Sequence, residues 1–178
     1  MTRIVVDAGH GGADAGAVNG QKYEKDATLI MAKKVTNRLR NAGFEVVMTR
    51  NDDRALTLQR RCDVSNQHGG DAFISIHCNS ATNKEANGVE TWRYSKVGAL
   101  TKALAANVQA AMIAASGARD RGVKENAFYV LKNTKAPAVL LEIGFISNDA
   151  EAEKIFSTEY QNLMADAIVE GVRKTFAG

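Results

Sequence analysis

Residues 140–148 read LLEIGFISN, and Ala138-Val139 stand directly before them, so a continuous apolar run leads up to a single carboxylate, Glu142. A short apolar run after a proline, here Pro137, is typical of a buried strand. The run therefore predicts a strand over residues 138–142. Burying a lone carboxylate costs on the order of several kcal/mol, so Glu142 must be paired or must face a cleft.

Strands and helices alternate outward from this run along the whole chain. Short β-branched or aromatic runs predict strands over residues 3–7, 44–49, 72–77, 89–94, 127–132 and 138–142, the fourth of these nearer an edge. Apolar residues at helical spacing predict helices over residues 22–42, 56–68, 97–115, 149–156 and 159–176. The alternation predicts an α/β fold: a single layered domain over residues 1–178, with a mostly parallel central sheet of about six strands flanked by helices.

The composition excludes several classes of protein. A length of 178 residues, with 45% apolar and 24% charged residues, fits one globular domain. The net charge of +3 is spread without a basic block, so nucleic-acid binding is not expected. No apolar stretch approaches the roughly 18–20 residues that cross a bilayer, and no secretory signal begins the chain. Cys62 and Cys78 are too few and too far apart for a disulfide framework or a cysteine zinc site, and are expected to be buried.

Chemically capable side chains follow three of the predicted strands. His10 lies in a glycine-rich loop after the first strand, His77 ends the strand AFISIH, and Glu142 ends the strand described above. The carboxyl ends of parallel strands meet at one edge of a sheet, so these residues are expected to converge there. Two imidazoles that face one point suit zinc. The alternative for His10 is an ordinary loop histidine, because GHGGADAG matches neither phosphate-binding glycine motif.

A third zinc ligand is expected because a catalytic zinc site usually keeps three protein ligands and one open position. The remaining histidine, His68, stands at a predicted helix C-terminus, where a structural role is favoured. The third ligand should then be a carboxylate, and the candidates are Asp7, Asp14, Glu24, Asp26, Glu90 and Glu142. The residues alone leave the choice open between Glu24 and Glu142.

Taken together, the segments IVVDAGHGGADAGA, ISIHCNS and AVLLEIGFISN, with a glutamate just before the first helix, closely resemble the Amidase_3 family. The resemblance covers essentially the whole chain, including GVETW and GVKENAFYVLKNTKAPAVLLE. Members of this family are zinc-dependent N-acetylmuramoyl-L-alanine amidases of bacterial autolysins and phage endolysins. The resemblance implies one Zn²⁺ bound by His10, Glu24 and His77 at the carboxyl edge of the strands, with Glu142 as the catalytic glutamate.

The implied reaction is hydrolysis of the peptidoglycan amide that joins N-acetylmuramic acid to L-alanine. Glu142 would take a proton, as base, from a water activated by the zinc and would then deliver it, as acid, to the departing nitrogen of L-alanine. Such an enzyme acts on the cell wall outside the cytoplasm. A sequence without a signal peptide is consistent with release by phage lysis or with a trimmed fragment, and a monomer is favoured. The alternatives are a non-catalytic peptidoglycan-binding module of the same fold and another zinc amidohydrolase or peptidase.

Three further polar residues receive weaker predictions. Asn79 is predicted to lie near the substrate, with a strand-end turn residue as an equal alternative. Glu90 contacts a zinc-binding histidine or belongs to a solvated strand face. Arg121 meets acidic groups of the peptide stem or is an ordinary surface arginine.

Overall fold

The computed structural model describes residues 1–177 and contains a six-stranded sheet, a two-stranded hairpin and six helices within that range. In chain order these elements are β1 (Arg3–Ala8), β2 (Val18–Asn19), β3 (Lys22–Tyr23), α1 (Glu24–Asn41), β4 (Glu45–Met48), α2 (Leu58–His68), β5 (Ala72–Asn79), β6 (Val89–Arg93), α3 (Ala99–Ser116), β7 (Asp120–Glu125), α4 (Tyr129–Asn133), β8 (Ala138–Phe145), α5 (Asp149–Ile155) and α6 (Thr158–Phe176).

The main sheet has the strand order β4-β1-β5-β8-β6-β7. Strands β4, β1, β5 and β8 are parallel, β6 is antiparallel to β8, and β7 is parallel to β6. The predicted α/β domain with a mostly parallel sheet of six strands is therefore confirmed. Strand β6 lies one position inside the edge, because β7 forms the edge itself.

Each face of the sheet carries its own apolar core. The larger core lies beneath α1, α3 and α6 and receives Ile74 and Ile76 from β5. The smaller core lies beneath α2 and α4 and receives Phe73 from the same strand. Because side chains alternate along a strand, Ser75 and His77 face the same side as Phe73. The residues of β5 that carry chemistry therefore share the face of the smaller core.

One predicted strand is wrong. Residues 127–132 contain the start of the short helix α4, and the sixth strand is instead β7, which lies earlier in the chain. The apolar residues Val130 and Leu131 are buried as expected, but they belong to a helix that packs against α2 and not to a strand. A short apolar run does not distinguish a strand from a buried helical turn.

Other elements differ from the prediction mainly in length. Strand β8 continues to Phe145 and β5 to Asn79, so that Glu142 and His77 lie within strands and not at their ends. The hairpin of β2 and β3 interrupts the glycine-rich loop and was not predicted. Both cysteines are free and buried, as expected. Across residues 1–177, no helix has the length and apolar character that crossing a membrane requires.

Candidate metal centre and active site

The structure brings His10, Glu24 and His77 together at one edge of the sheet. His10 follows β1, Glu24 is the first residue of α1, and His77 belongs to β5. Nε2 of His10 lies 3.1 Å from Oε2 of Glu24, and Nδ1 of His77 lies 3.2 Å from Oε1. One donor atom from each residue lies within 4.8 Å of the other two. Two imidazole nitrogens and a carboxylate oxygen at this spacing form a set that can bind a metal ion.

The loop that carries His10 has an unusual backbone. His10 has φ of 61°, and among residues 1–177 it is the only non-glycine residue with a positive φ. Such a conformation costs of order 1–3 kcal/mol and concentrates at functional sites. A Cβ at Gly9 would lie 2.4 Å from Cε1 of His77, and one at Gly16 would lie 2.6 Å from Oε2 of Glu24. The glycines therefore allow the loop to pack directly against the side chains of the cluster.

Two buried arginines hold this loop in place. Nη2 of Arg50 donates to the carbonyl of Gly9 at 2.9 Å, and Nη2 of Arg61 donates to the carbonyl of His10 at 2.8 Å. Nη1 of Arg61 also donates to Oδ1 of Asp7 at 2.8 Å, with both side chains nearly inaccessible to solvent. The conformation of the His10 loop is thus stabilised by charge-assisted hydrogen bonds from the two guanidinium groups to its backbone carbonyls.

A second chain of hydrogen bonds orients His77. Burial alone would raise the pKa of Asp7, but Arg61, together with hydrogen bonds from Thr49 and Ser75, lowers it below its usual value. The ionised Asp7 accepts the Ser75 hydroxyl proton at 2.7 Å. Oγ of Ser75 then accepts from Nε2 of His77, which lies 3.1 Å away. Because Nε2 carries the proton, Nδ1 keeps a free lone pair, and that nitrogen faces Glu24.

His10 is oriented in the corresponding way by Asp14. Nδ1 of His10 donates to Oδ2 of Asp14 at 2.9 Å, which leaves Nε2 directed at Glu24. Burial lowers the tendency of His10 to take up a proton, but Glu24 and then Asp14 outweigh it and raise the pKa of this histidine. A proton therefore competes with a metal ion for Nε2 of His10.

Glu24 is buried and fully hydrogen-bonded. The N–H groups of Cys78 and Ala17 donate to Oε1 and Oε2 respectively, each at 2.9 Å. Burial would raise the pKa of Glu24, but its contacts with His10 and His77 lower the pKa well below its usual range. An ionised carboxylate and two imidazole lone pairs therefore point at one another. Such a group of acceptors requires a cation or a proton between its members.

Glu142 adjoins this cluster without belonging to it. It is the register partner of His77 across β5 and β8, and of Glu90 across β8 and β6. Its Oε2 is shielded from solvent and has no hydrogen-bond partner within residues 1–177. Burial, followed by the charges of Glu24 and Glu90, raises the pKa of Glu142 well above its ordinary value.

A pocket of about 470 Å³ exposes these groups to a ligand. Its polar lining includes His10, His77 and Glu142, and much of its apolar lining comes from residues near the starts of α2 and α4. Leu58 and Phe128 at its wall remain substantially exposed. The pocket therefore combines an apolar wall with two histidines that can bind a metal ion and with an acidic group.

The three weaker candidates lie together beyond Glu142. Glu90 is only 3% exposed, so the prediction of a solvated strand face is wrong. Its carboxylate accepts from Nδ2 of Asn79 at 2.7 Å, from Nε of Arg121 at 3.0 Å and from Nζ of Lys124 at 2.6 Å. Glu90 therefore contacts the other two candidates and a lysine, while the hydrogen bonds of both cluster histidines go to other groups.

Several supporting residues were not predicted from the sequence. Asp7 and Asp14 were expected only as possible third ligands, and no role was predicted for Ser75, Arg50 or Arg61. Ser75 alone has a local signal, since it stands two residues before the histidine of β5 and must share its face. The two arginines act over long sequence separations that no local pattern reveals.

The chain is similar to known cell-wall amidases over almost its full length. Residues 4–174 match the family model described as N-acetylmuramoyl-L-alanine amidase, Amidase_3. YqiI of Bacillus subtilis, an uncharacterised protein, is 42% identical over 170 residues, which cover 95% of this chain and 82% of that protein. The N-acetylmuramoyl-L-alanine amidase LytC of Bacillus subtilis is 38% identical over 169 residues. That match covers 94% of this chain but only 34% of LytC, so the chain spans about a third of that relative.

A solved structure supports the same assignment. The N-acetylmuramoyl-L-alanine amidase from Clostridium difficile 630 is 37% identical and superposes with a TM-score of 0.96. The superposition covers 99% of this chain and 97% of that one. Fold, family match and sequence identity agree, and the chain belongs to the Amidase_3 family of N-acetylmuramoyl-L-alanine amidases.

Proposed function

We propose that residues 1–178 form the catalytic domain of a zinc-dependent amidase. Its substrate is bacterial peptidoglycan outside the cytoplasm, and the bond cleaved is the amide between N-acetylmuramic acid and L-alanine. The observation that carries this proposal is the position of Glu142, which lines one pocket together with His10 and His77 of the cluster and has a buried carboxylate oxygen without a hydrogen-bond partner in residues 1–177. Membership of the family supports the choice of reaction.

The residues of the cluster suit a zinc ion. Zinc favours imidazole nitrogen and carboxylate oxygen, and catalytic sites use three such ligands. His10 and His77 would bind through Nε2 and Nδ1, the atoms that Asp14 and Ser75 leave free, and Glu24 would bind through a carboxylate oxygen. A zinc ion bound here would supply Lewis acidity toward a water and toward the substrate carbonyl.

Glu142 is the proposed proton carrier. Its high pKa in the metal-free protein follows from burial and from two neighbouring carboxylates. Positive charge in the adjacent cluster favours the ionised form, which prepares Glu142 to accept a proton from the attacking water. The resulting carboxylic acid then donates that proton to the departing nitrogen of L-alanine. General acid–base work of this kind contributes about 10²–10⁴-fold in rate.

The proposal is tested by digesting purified peptidoglycan with the protein, with and without a chelator, and identifying products by mass spectrometry. We expect intact stem peptides with a new amino-terminal alanine, loss of activity on chelation and recovery with added zinc. New reducing ends would indicate a glycosidase, and cleavage elsewhere in the peptide would indicate a different hydrolase. Binding to peptidoglycan without any cleavage would favour the non-catalytic module.

A further inference from the structure

Beyond Glu142, a row of polar side chains crosses the sheet. His77, Glu142 and Glu90 are successive register partners on β5, β8 and β6, so their side chains lie on the same face. Arg121 and Lys124 of the edge strand β7 both donate to Oε2 of Glu90, at 3.0 and 2.6 Å. The row therefore runs from the metal cluster to a pair of cations at the sheet edge.

The two cations are held in position and remain accessible. Glu90 balances only one of the two positive charges, so the trio has a surplus of positive charge. The guanidinium of Arg121 lies 4.9 Å from the centre of the Phe145 ring, and Nζ of Lys124 lies 5.4 Å from that of Trp92. The side chains of Arg121 and Lys124 are 25% and 35% exposed. Anchored, partly exposed cations lose little freedom when they bind an anion.

The spacing of the strands sets the reach of this site. Neighbouring strands lie about 4.8 Å apart, so Glu90 on β6 lies about one strand spacing from Glu142 on β8. Arg121 and Lys124 donate to Oε2 of Glu90 at 3.0 and 2.6 Å, so their cationic groups lie roughly 5–8 Å from Glu142. An extended peptide spans about 3.5 Å per residue, so about two residues cover that distance. We propose that Arg121 and Lys124 form a subsite for a free carboxylate located two or three residues beyond the scissile amide. This inference rests on the proposed function, because it assumes that the amide is attacked beside Glu142.

Arginine suits this role because its guanidinium stays charged and presents several N–H donors in a rigid plane, so that it can bind the protein and a substrate carboxylate at the same time. In Arg121, Nε is engaged by Glu90 and Nη1 by the carbonyl of Asn87 at 3.3 Å. Nη2 makes no hydrogen bond to any group in residues 1–177, which leaves a donor for the substrate. Lys124 contributes a neighbouring charge. The preferred stem peptides are therefore those with an unamidated carboxyl group at this distance.

The test uses pairs of synthetic muramoyl peptides that differ only in a free carboxylate or a primary amide on the second or third residue. We expect the wild-type protein to favour the carboxylate member of one pair by about 10-fold in kcat/KM, as one charge-assisted hydrogen bond provides. Arg121→Gln and Lys124→Gln should each reduce this preference by slowing cleavage of the carboxylate member alone. Raising the salt concentration should reduce it in the wild-type protein as well.

Each single variant leaves one cation on the buried Glu90, so the fold should persist, and thermal unfolding checks this. Arg121→Lys should recover part of the preference, and Lys102→Gln, an exposed position on α3, should leave it unchanged. Equal rates on both members of every pair in the wild-type protein would overturn the inference. An equal loss on both members in the variants would also overturn it, since that indicates a structural role. If no muramoyl peptide is cleaved at all, the proposed function itself fails.

Discussion

Ser75 and His77 stand two residues apart on one face of β5, and Oγ of Ser75 lies 3.1 Å from Nε2 of His77. Because the Ser75 proton is directed to Asp7 at 2.7 Å, the serine oxygen accepts from the imidazole. A buried ion pair of Asp7 and Arg61 thereby determines which nitrogen of His77 is free to bind a metal. The same interactions stabilise the fold and leave Nδ1 of His77 free to accept a cation.

Ser75→Ala should weaken zinc binding while the protein stays folded. The variant removes the acceptor for Nε2–H, and loss of such a supporting hydrogen bond typically costs about 10–100-fold in metal affinity. Competition with a chromophoric chelator measures that affinity. Ser80→Ala is the matched control, because Ser80 is exposed just beyond the end of the same strand. Equal affinities for Ser75→Ala and the wild-type protein would contradict the tautomer assigned to His77.

Gly16→Ala should disrupt the metal cluster far more than Gly20→Ala. Both glycines have a positive φ, 67° and 60°, so the backbone strain of the two substitutions is similar. Only the Cβ at position 16 would meet Glu24, at 2.6 Å, whereas the Cβ at position 20 has no neighbour within 4 Å. Bound zinc per protein, measured by elemental analysis, distinguishes them. Similar losses in the two variants would show that strain alone, and not contact with Glu24, matters here.

Asp7→Asn should destabilise the protein by about 3–5 kcal/mol, because it leaves the buried Arg61 charge uncompensated. The pKa of Asp7 in the folded protein lies below its unfolded value, so its stabilisation is present at neutral pH and is lost as pH falls. Denaturant unfolding at pH 7 measures the loss. Asp52→Asn is the control, since Asp52 pairs with Arg54 on the surface, and its stability should be nearly unchanged. If Asp7→Asn and Asp52→Asn both lowered the free energy of unfolding only slightly, the Asp7–Arg61 ion pair would not contribute to stability as predicted.

The sequence was sufficient for the sheet and for most of its elements. Continuous apolar strands and amphipathic helices leave few alternatives, and β1, β5 and β8 appear where they were predicted. Strand β7 escaped prediction because its sequence, DRGVKE, is charged, contains glycine and lies exposed at the edge. The apolar run after it suggested a strand instead, since burial in a helix such as α4 leaves the same short apolar pattern.

The candidate site was only partly predictable. The carboxyl ends of parallel strands lie at one edge of a sheet, and this rule correctly predicted that His10, His77 and Glu142 lie close together. Choosing Glu24 as third ligand depended on the family resemblance, because an acid at a helix start has an ordinary explanation. Arg50 and Arg61 act through contacts with backbone that is distant in sequence. Such contacts form only after the chain has folded, so they cannot be predicted from the spacing of residues in the sequence.

The metal-free protein should be increasingly stabilised by Glu142→Gln as the pH rises above about 4.5. Burial and the charges of Glu24 and Glu90 raise the pKa of Glu142 in the folded state. Above the unfolded value, near 4.5, the folded state binds more protons at this group, so its contribution to stability falls as pH rises. Glutamine removes this loss. Denaturant unfolding with chelator from pH 4 to 8 should show a growing advantage for the variant. Parallel curves for variant and wild-type protein would contradict the raised pKa.

His77 is proposed to bind the zinc ion, whereas Glu142 is proposed to carry the proton without binding the metal. Bound zinc and peptidoglycan cleavage are therefore compared in Glu142→Gln and His77→Ala. We predict that Glu142→Gln retains about one zinc per protein but loses about 10²–10⁴-fold in rate, whereas His77→Ala loses both metal and activity. If Glu142→Gln lost zinc as completely as His77→Ala, or cleaved at the wild-type rate, the assignment of these two residues would be wrong.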